Sequence, residues 1–269
     1  MENKMNELTQ RILTASALGV LALYLVFESF IGFTVALVVV SLMAIYEFVK
    51  LSKMKLTTLW VLFIVLIAII AIMWSTNFWF MVLLIPLLSA ASILFWSKNL
   101  FLVFNYPNKK PNNSEFNKVM SLFLLIMPLT FLILLHNETR LLLLLLLIVW
   151  GADSFAYFSG KAFGRHKLAP NLSGGKTIEG VIGGLVGVLL ITGVWMYFYN
   201  ESNWGFLLLA LVTGIFSVVG DLYESIYKRE AGVKDSGNIL PGHGGILDRI
   251  DGLLAATPVF MAIGVIFLA

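Results

Sequence analysis

RLLLLLLLIVWGADSFAYF, residues 140–158, decides the fold: Leu141 to Leu147 are seven leucines in a row, and the run meets no acidic residue until Asp153. A continuous apolar run suits a helix surrounded by lipid, whereas a membrane barrel strand alternates apolar and polar positions. Outward from this segment the chain divides into about nine runs near the ~20 residues that a helical crossing needs. They lie at roughly 11–27, 30–49, 57–74, 76–96, 118–135, 140–158, 178–199, 204–224 and 252–269. The 269 residues are 59% hydrophobic and 12% charged with mean hydropathy +0.94, well outside soluble globular usage. The expected fold class is all-α, a polytopic integral membrane protein.

Cytoplasmic loops retain Lys and Arg near span ends, so the basic residues orient the chain. With nine spans, all of the 18 Lys and Arg except Arg140 fall on one side. That split places the N-terminus in the cytoplasm, in a cytoplasmic or inner membrane. The sequence pI near 9.0 then reflects topology and not nucleic-acid binding. The triplet Ala15-Ser16-Ala17 sits inside the first apolar run, too early for a signal cleavage site, so that run reads as an uncleaved helix. With no cysteine, disulfides, thiolate nucleophiles and Cys-ligated metals are excluded, and any metal must use oxygen or histidine.

Ser97 to Asn117 contains NYPNKKPNNSEF, a Pro- and Asn-rich break that reads as a linker. It separates a four-helix scaffold, residues 1–96, from a five-helix region, residues 118–269, expected to be catalytic. All aspartates lie beyond it, at 153, 221, 235, 248 and 251, whereas the first spans embed few charges apart from Glu28 and Glu47. The seventh span carries two GxxxG steps, Gly180 to Gly184 and Gly183 to Gly187, which let helices approach closely. Such glycine-lined helices, with a first half poor in chemistry, suggest a homodimer. Trp74, Trp96, Trp150 and Trp204 near span ends suit an interfacial belt.

The chemistry gathers in SIYKREAGVKDSGNILPGHGGILDRID, residues 225–251, a polar island between two apolar runs. At membrane depth a charge costs roughly 2.5 to 3.5 kcal/mol, so a cluster of both signs needs a reason to persist. On a continuing helix Asp221, Ser225 and Lys228 share a face, and so do Asp248 and Asp251 at the start of the last span. Three carboxylates can thus converge from two helix ends, an oxygen set suited to Mg2+ bridged to substrate phosphates. The same spacing also fits a salt-bridge knot with Lys228, Arg229 or Arg249. Pro241-Gly242-His243-Gly244-Gly245 can turn sharply and present backbone N–H groups to phosphate at a helix start. His243 itself reads as a phosphate donor, a turn-stabilising group or an acid.

A second polar patch, Asp153 to Glu179, lies on the same expected side. Gly174-Gly175-Lys176-Thr177 looks like the end of a Walker A loop, but Pro170 stands where that loop needs its first glycine, and no strand is expected before it. What survives is a lysine and a hydroxyl beside glycines before a helix start. His166 and Lys167 read as headgroup-facing residues.

The string S-x-x-K-R-x4-K-D-x5-P-x-H-G-G-x2-D-R-x-D, Ser225 to Asp251, resembles the signature of the phosphatidate cytidylyltransferase family, also called CDP-diacylglycerol synthases. The likeness extends upstream through ADSFAYFSGKAFGRHKLAP, SGGKT and GDLYES, covering most of residues 151 to 260. Two positions depart from the family's pattern: Tyr227, usually aliphatic or Phe, and Gly174, commonly Pro.

The resemblance implies a Mg2+-dependent nucleotidyltransferase that moves CMP from CTP to phosphatidate, giving CDP-diacylglycerol and pyrophosphate for phospholipid synthesis. Membrane lipids surround such an enzyme, and a second cation is compatible with it. Asp221, Asp248 and Asp251 are expected to hold the metal and, with Lys228 and Arg229, to form the catalytic group. Ser173, Lys176, Thr177, Ser225, Lys234, Asp235, His243, Gly244, Gly245 and Arg249 are expected to bind substrate. Asp153 stands behind the three aspartates as a further metal candidate. The site is expected to face the cytoplasm, where CTP is. An ion-coupled transporter is the other reading of intramembrane carboxylates, but the charges cluster at one end of the spans and no inverted repeat is evident.

Overall fold

The computed structural model describes residues 19–27, 29–54, 64, 78–111, 118, 127–240 and 244–268. Residues 19–27 are helical. The named elements are α1 (Phe30–Leu51), α2 (Phe78–Asn105), α3 (Thr139–Phe163), β1 (Lys167–Ala169), β2 (Ser173–Thr177), α4 (Ile178–Phe198), α5 (Gly205–Ala231) and α6 (Leu247–Leu268). Five stretches among the described residues are long and apolar enough to cross a membrane: Phe30–Leu51, Pro86–Asn105, Met127–Phe163, Ile178–Phe198 and Gly205–Ala231. The third is 37 residues, about twice what a single crossing takes. It is interrupted by a 3-10 turn, His136–Glu138, where Glu138 leaves helical geometry at φ −110° and ψ 64°. The protein is an integral membrane protein built of helices. The third expected span, 57–74, lies almost wholly outside the described residues, as does the first part of the first span, residues 11–18.

Local chemistry sets the helix ends. Ser29 caps α1 by accepting from Gly32 N at 3.0 Å, and Thr177 caps α4 by accepting from Gly180 N at 3.1 Å. Gly232, at φ +74°, closes α5 in the left-handed conformation that an L side chain resists. α2 continues as helix through residue 105, so the polar break after 96 begins inside an element, and Tyr106 and Lys110 beyond it bond Glu230 of α5.

A small hairpin departs from the all-helical expectation. β1 pairs antiparallel with β2, Lys167 opposite Thr177 and Ala169 opposite Ser173. It connects α3 to α4, and Arg229 of α5 ties to its turn by donating Nε to Leu172 O at 3.0 Å.

α3 and α4 meet along the glycine face read in the sequence. A methyl at 184 would lie 2.8 Å from Ala152 O, and one at 180 would lie 2.8 Å from Ala156 O. The glycines are thus used inside the chain. α5 and α6 meet the same way, with Gly220 against the Asp251 carbonyl and Gly252 against Ser217. Trp96 corrects the interfacial reading: it is fully buried, edge-on to Phe95 and Tyr223 in the core.

Candidate active site

The C-terminal ends of α1, α2, α3 and α5 and the N-terminal ends of α4 and α6 lie at one end of the bundle, as contacts among Glu47, Glu230, the hairpin and Leu247 require. Close α5–α6 packing at Gly220 brings Asp221 and Glu224 beside Asp251. Asp153 of α3 lies within electrostatic reach of Asp221, Lys176 and Arg249. Lys176, the penultimate residue of β2, forms an ion pair with Asp221. Burial alone would lower the Lys176 ammonium, yet the charges of Asp221, Asp153 and Asp251 outweigh it and hold its pKa above the ordinary lysine value.

Deeper in, Lys228 joins two carboxylates, Glu224 Oε2 at 3.0 Å and Asp248 Oδ1 at 2.7 Å, with all three side chains at or below 10% exposure. Asp248 Oδ2 accepts from Ser236 N at 2.9 Å, Ser236 Oγ at 3.0 Å and Gly245 N at 2.8 Å. For Asp248 the salt-bridge reading is therefore the observed geometry, and both of its oxygens are engaged. Glu47 accepts from Ile246 N at 3.1 Å, Leu247 N at 2.8 Å and Ser236 Oγ at 2.9 Å. The backbone donors at the start of α6 thus point at protein carboxylates. This corrects the expectation that Gly245 offers an open N–H to phosphate.

Several other expected site residues have structural partners. Thr177 caps α4, Ser173 pairs with Ala169, and Ser225 is buried in α5. Arg229 bonds Leu172 O and Val233 O. Lys234 and Asp235 lie on an exposed turn, with Asp235 packed beside Gly244, whose φ of +82° suits glycine. His243, with Pro241 and Gly242, lies outside the described residues. His166 Nδ1 meets Glu179 at 2.6 Å, and Lys167 Nζ donates to Gly174 O at 2.7 Å.

A cavity of about 670 Å3 opens onto this cluster. Its long wall is apolar, with Leu25, Phe33, Leu37, Leu142 and Leu146. One end is polar, formed by Asp153, Ser154, Asp248, Arg249 and Asp251. An amphiphile with a charged head fits both parts.

Among the described residues no three carboxylate or imidazole side chains stand close enough to enclose a metal ion. A divalent ion held by one or two carboxylates, completed by water and substrate phosphate, remains compatible. One observation favours such a fit. Glu224 Oε1 is buried without a hydrogen-bond donor, and the Asp251 carboxyl lies against that side chain. Two carboxylates facing each other in a buried site call for a shared cation or proton.

Sequence reading passed over Glu224 and Ser236 and left Glu47 as an isolated embedded charge. Glu224 was visible as an i,i+4 partner of Lys228, a spacing that on its own reads as a surface pair.

The chain matches the cytidylyltransferase family over residues 9–267. It is 42% identical over 194 residues to a phosphatidate cytidylyltransferase of Haemophilus influenzae, an alignment covering 69% of this chain and 65% of the relative. A protein of the same name from Pseudomonas aeruginosa is 50% identical over 126 residues, 46% of each chain, and one from Staphylococcus haemolyticus is 50% identical over 115 residues, 42% of this chain and 44% of the relative. The aligned stretches thus span between 44% and 65% of these relatives' own lengths. Because the family match runs through nearly the whole sequence and includes every element that builds the charged cluster, the chain belongs to the cytidylyltransferase family.

Proposed function

We propose that the protein transfers the cytidylyl group of CTP to phosphatidate, releasing pyrophosphate and forming CDP-diacylglycerol. The carrying observation is the cavity whose apolar wall ends at Asp153, Arg249 and Asp251, beside the Lys176–Asp221 pair. It offers acyl chains an apolar course and brings a lipid phosphate to the charges that a nucleotide triphosphate needs.

In this reading an oxygen of the phosphatidate phosphate attacks the α-phosphorus of CTP. The new P–O bond forms as the bond to the β-phosphate oxygen breaks, and that bond's electrons leave with pyrophosphate. The nucleophile is already an anion, so no strong general base is required. Catalysis rests on alignment and on neutralising charge. Lys176 and Arg249 reach the open part of the site and are assigned to phosphate oxygens, with Lys234 at its exposed margin. Asp221 and Asp251, with Asp153 and Glu224 beside them, would hold Mg2+, which supplies charge neutralisation on the phosphates. Asp248, engaged on both oxygens, is assigned to holding Lys228 in place.

We place the charged end of the bundle in the cytoplasm. α1, α2, α3 and α5 run toward that end and α4 and α6 run away from it, a pattern compatible with nine spans and a cytoplasmic N-terminus, and the basic residues gather there. A homodimer would use a surface other than Gly180, Gly183, Gly184 and Gly187, which face α3.

Incubating reconstituted protein with labelled CTP and phosphatidate tests the reaction. CDP-diacylglycerol and pyrophosphate in equal amounts are expected. Failure to form either, with folded protein and Mg2+ present, would defeat the proposal, and a transporter would form neither.

A further inference from the structure

Glu47 is 1% exposed and lies in α1, in the half of the chain that the sequence reads as scaffold. Its carboxylate nevertheless reaches the loop about 200 residues further on, accepting from Ser236 Oγ, Ile246 N and Leu247 N. The loop is shaped to admit it. A methyl at Gly245 would lie 2.6 Å from Glu47 Oε1, and one at Gly237 would lie 2.9 Å from Glu47 Cδ. A carboxylate only accepts, so three donors converging on it form a matched set. Leu247 N is the first N–H of α6 and Ile246 N immediately precedes it, and a negative charge there also meets the helix dipole favourably.

The contact continues into the site. Ser236 Oγ stands 2.9 Å from Glu47 and 3.0 Å from Asp248, and its single proton serves one carboxylate at a time. Asp248 Oδ1 then holds Lys228, which holds Glu224 against Asp251. Glu47 thus fixes both the start of the helix that carries Asp248 and Asp251 and the serine that orients Asp248.

We propose that Glu47 is a positioning residue for the nucleotidyl transfer, acting through Ser236 and the start of α6 to set Asp248, Lys228 and Asp251. This rests on the reaction proposed above. It makes the N-terminal helices part of the catalytic apparatus.

The test uses the full chain as wild type, Glu47→Gln, Ser236→Ala and the double variant. Glutamine keeps the size but turns an NH2 group toward donors. For Glu47→Gln, kcat is expected to fall about 10- to 100-fold, as when outer-shell partners of a site are lost. KM for CTP should change much less than kcat, because Lys176, assigned to phosphate oxygens, is carried by the hairpin and not by α6. The double variant should lose no more kcat than Glu47→Gln alone, since both changes break one path. Wild-type kcat in Glu47→Gln, or losses that multiply in the double variant, would overturn the assignment. If Glu47→Gln does not fold, Ser236→Ala decides: lowered kcat at unchanged KM supports the path, and unchanged kcat overturns it. Amide exchange at Gly245 to Leu247 separates this claim from the reaction. Faster exchange in Glu47→Gln is expected even if wild type were inactive on CTP and phosphatidate, and unchanged exchange would refute the contact whatever the reaction proves to be.

Discussion

At the scale of single residues, two ion pairs that look alike by charge have opposite expected roles. The Lys176–Asp221 side chains are 23% and 27% exposed, while Lys228 is about 10% exposed between two buried carboxylates. Asp221→Asn should therefore cost activity more than fold. A loss of ~100-fold in kcat is expected, the size of effect seen when one preorganised electrostatic group is removed. Thermal unfolding in detergent should stay near wild type, and near-normal turnover would remove Asp221 from the site. Lys228→Met should do the reverse first, leaving Glu224 and Asp248 buried without their cation at about 3 to 5 kcal/mol, read as a lowered unfolding midpoint. Lys176 also fixes a pH expectation. Its pKa lies above the ordinary lysine value, so the ammonium is fully charged at neutral pH and its ion pair is lost only as pH rises through that raised pKa. Wild type and Lys176→Arg should therefore share the same shape of kcat against pH between about 6 and 9. An alkaline fall within that range in wild type, absent in Lys176→Arg, would contradict the assignment. The aspartates were legible because a charge in an apolar chain carries an obvious cost. Glu47 as a loop anchor was not legible, because its partners Ser236, Ile246 and Leu247 come together only in three dimensions.

At the scale of elements, small residues decide how near the helices come. Gly184 sits in the α3–α4 contact, where a side chain would meet Ala152 O and Ala156 Cβ. Gly193, further along the same helix, has open space around it, with nothing within 4 Å of where a methyl would stand. Gly184→Val should destabilise by about 1 to 3 kcal/mol through overpacking. Gly193→Ala should be neutral or raise stability by up to ~1 kcal/mol, since alanine favours the helix. Thermal unfolding of the two variants side by side checks this, and equal effects would mean that the glycine face does not set the interface. The GxxxG spacing made that interface legible but not its partner, which is α3 of the same chain. The hairpin was illegible for a related reason. Ser173 to Thr177 has little strand preference of its own, with Gly174 and Gly175 at its centre, and it becomes a strand by pairing with β1 between two packed helices.

At the scale of the whole molecule, the strongest sequence signal was the one-sided distribution of Lys and Arg, and the structure gives it a physical location. The α1 and α5 C-termini, the hairpin and the start of α6 meet at one end, whereas the turn between α4 and α5, residues 199–204, lies at the other. Orientation across a bilayer is not contained in side-chain contacts, so it must be measured. The absence of cysteine makes the measurement clean, because each introduced thiol is the only one in the chain. Lys176→Cys lies in the hairpin at the charged end, and Asn200→Cys, at a residue with φ of +51°, lies in the opposite turn. In oriented membrane vesicles a membrane-impermeant maleimide added on the cytoplasmic side should label position 176 and spare position 200, and added outside it should do the converse. Labelling of both from one side would break the antiparallel α4–α5 crossing. The inverse pattern would put the charged end on the face where CTP is not supplied, and the proposed reaction could not proceed there.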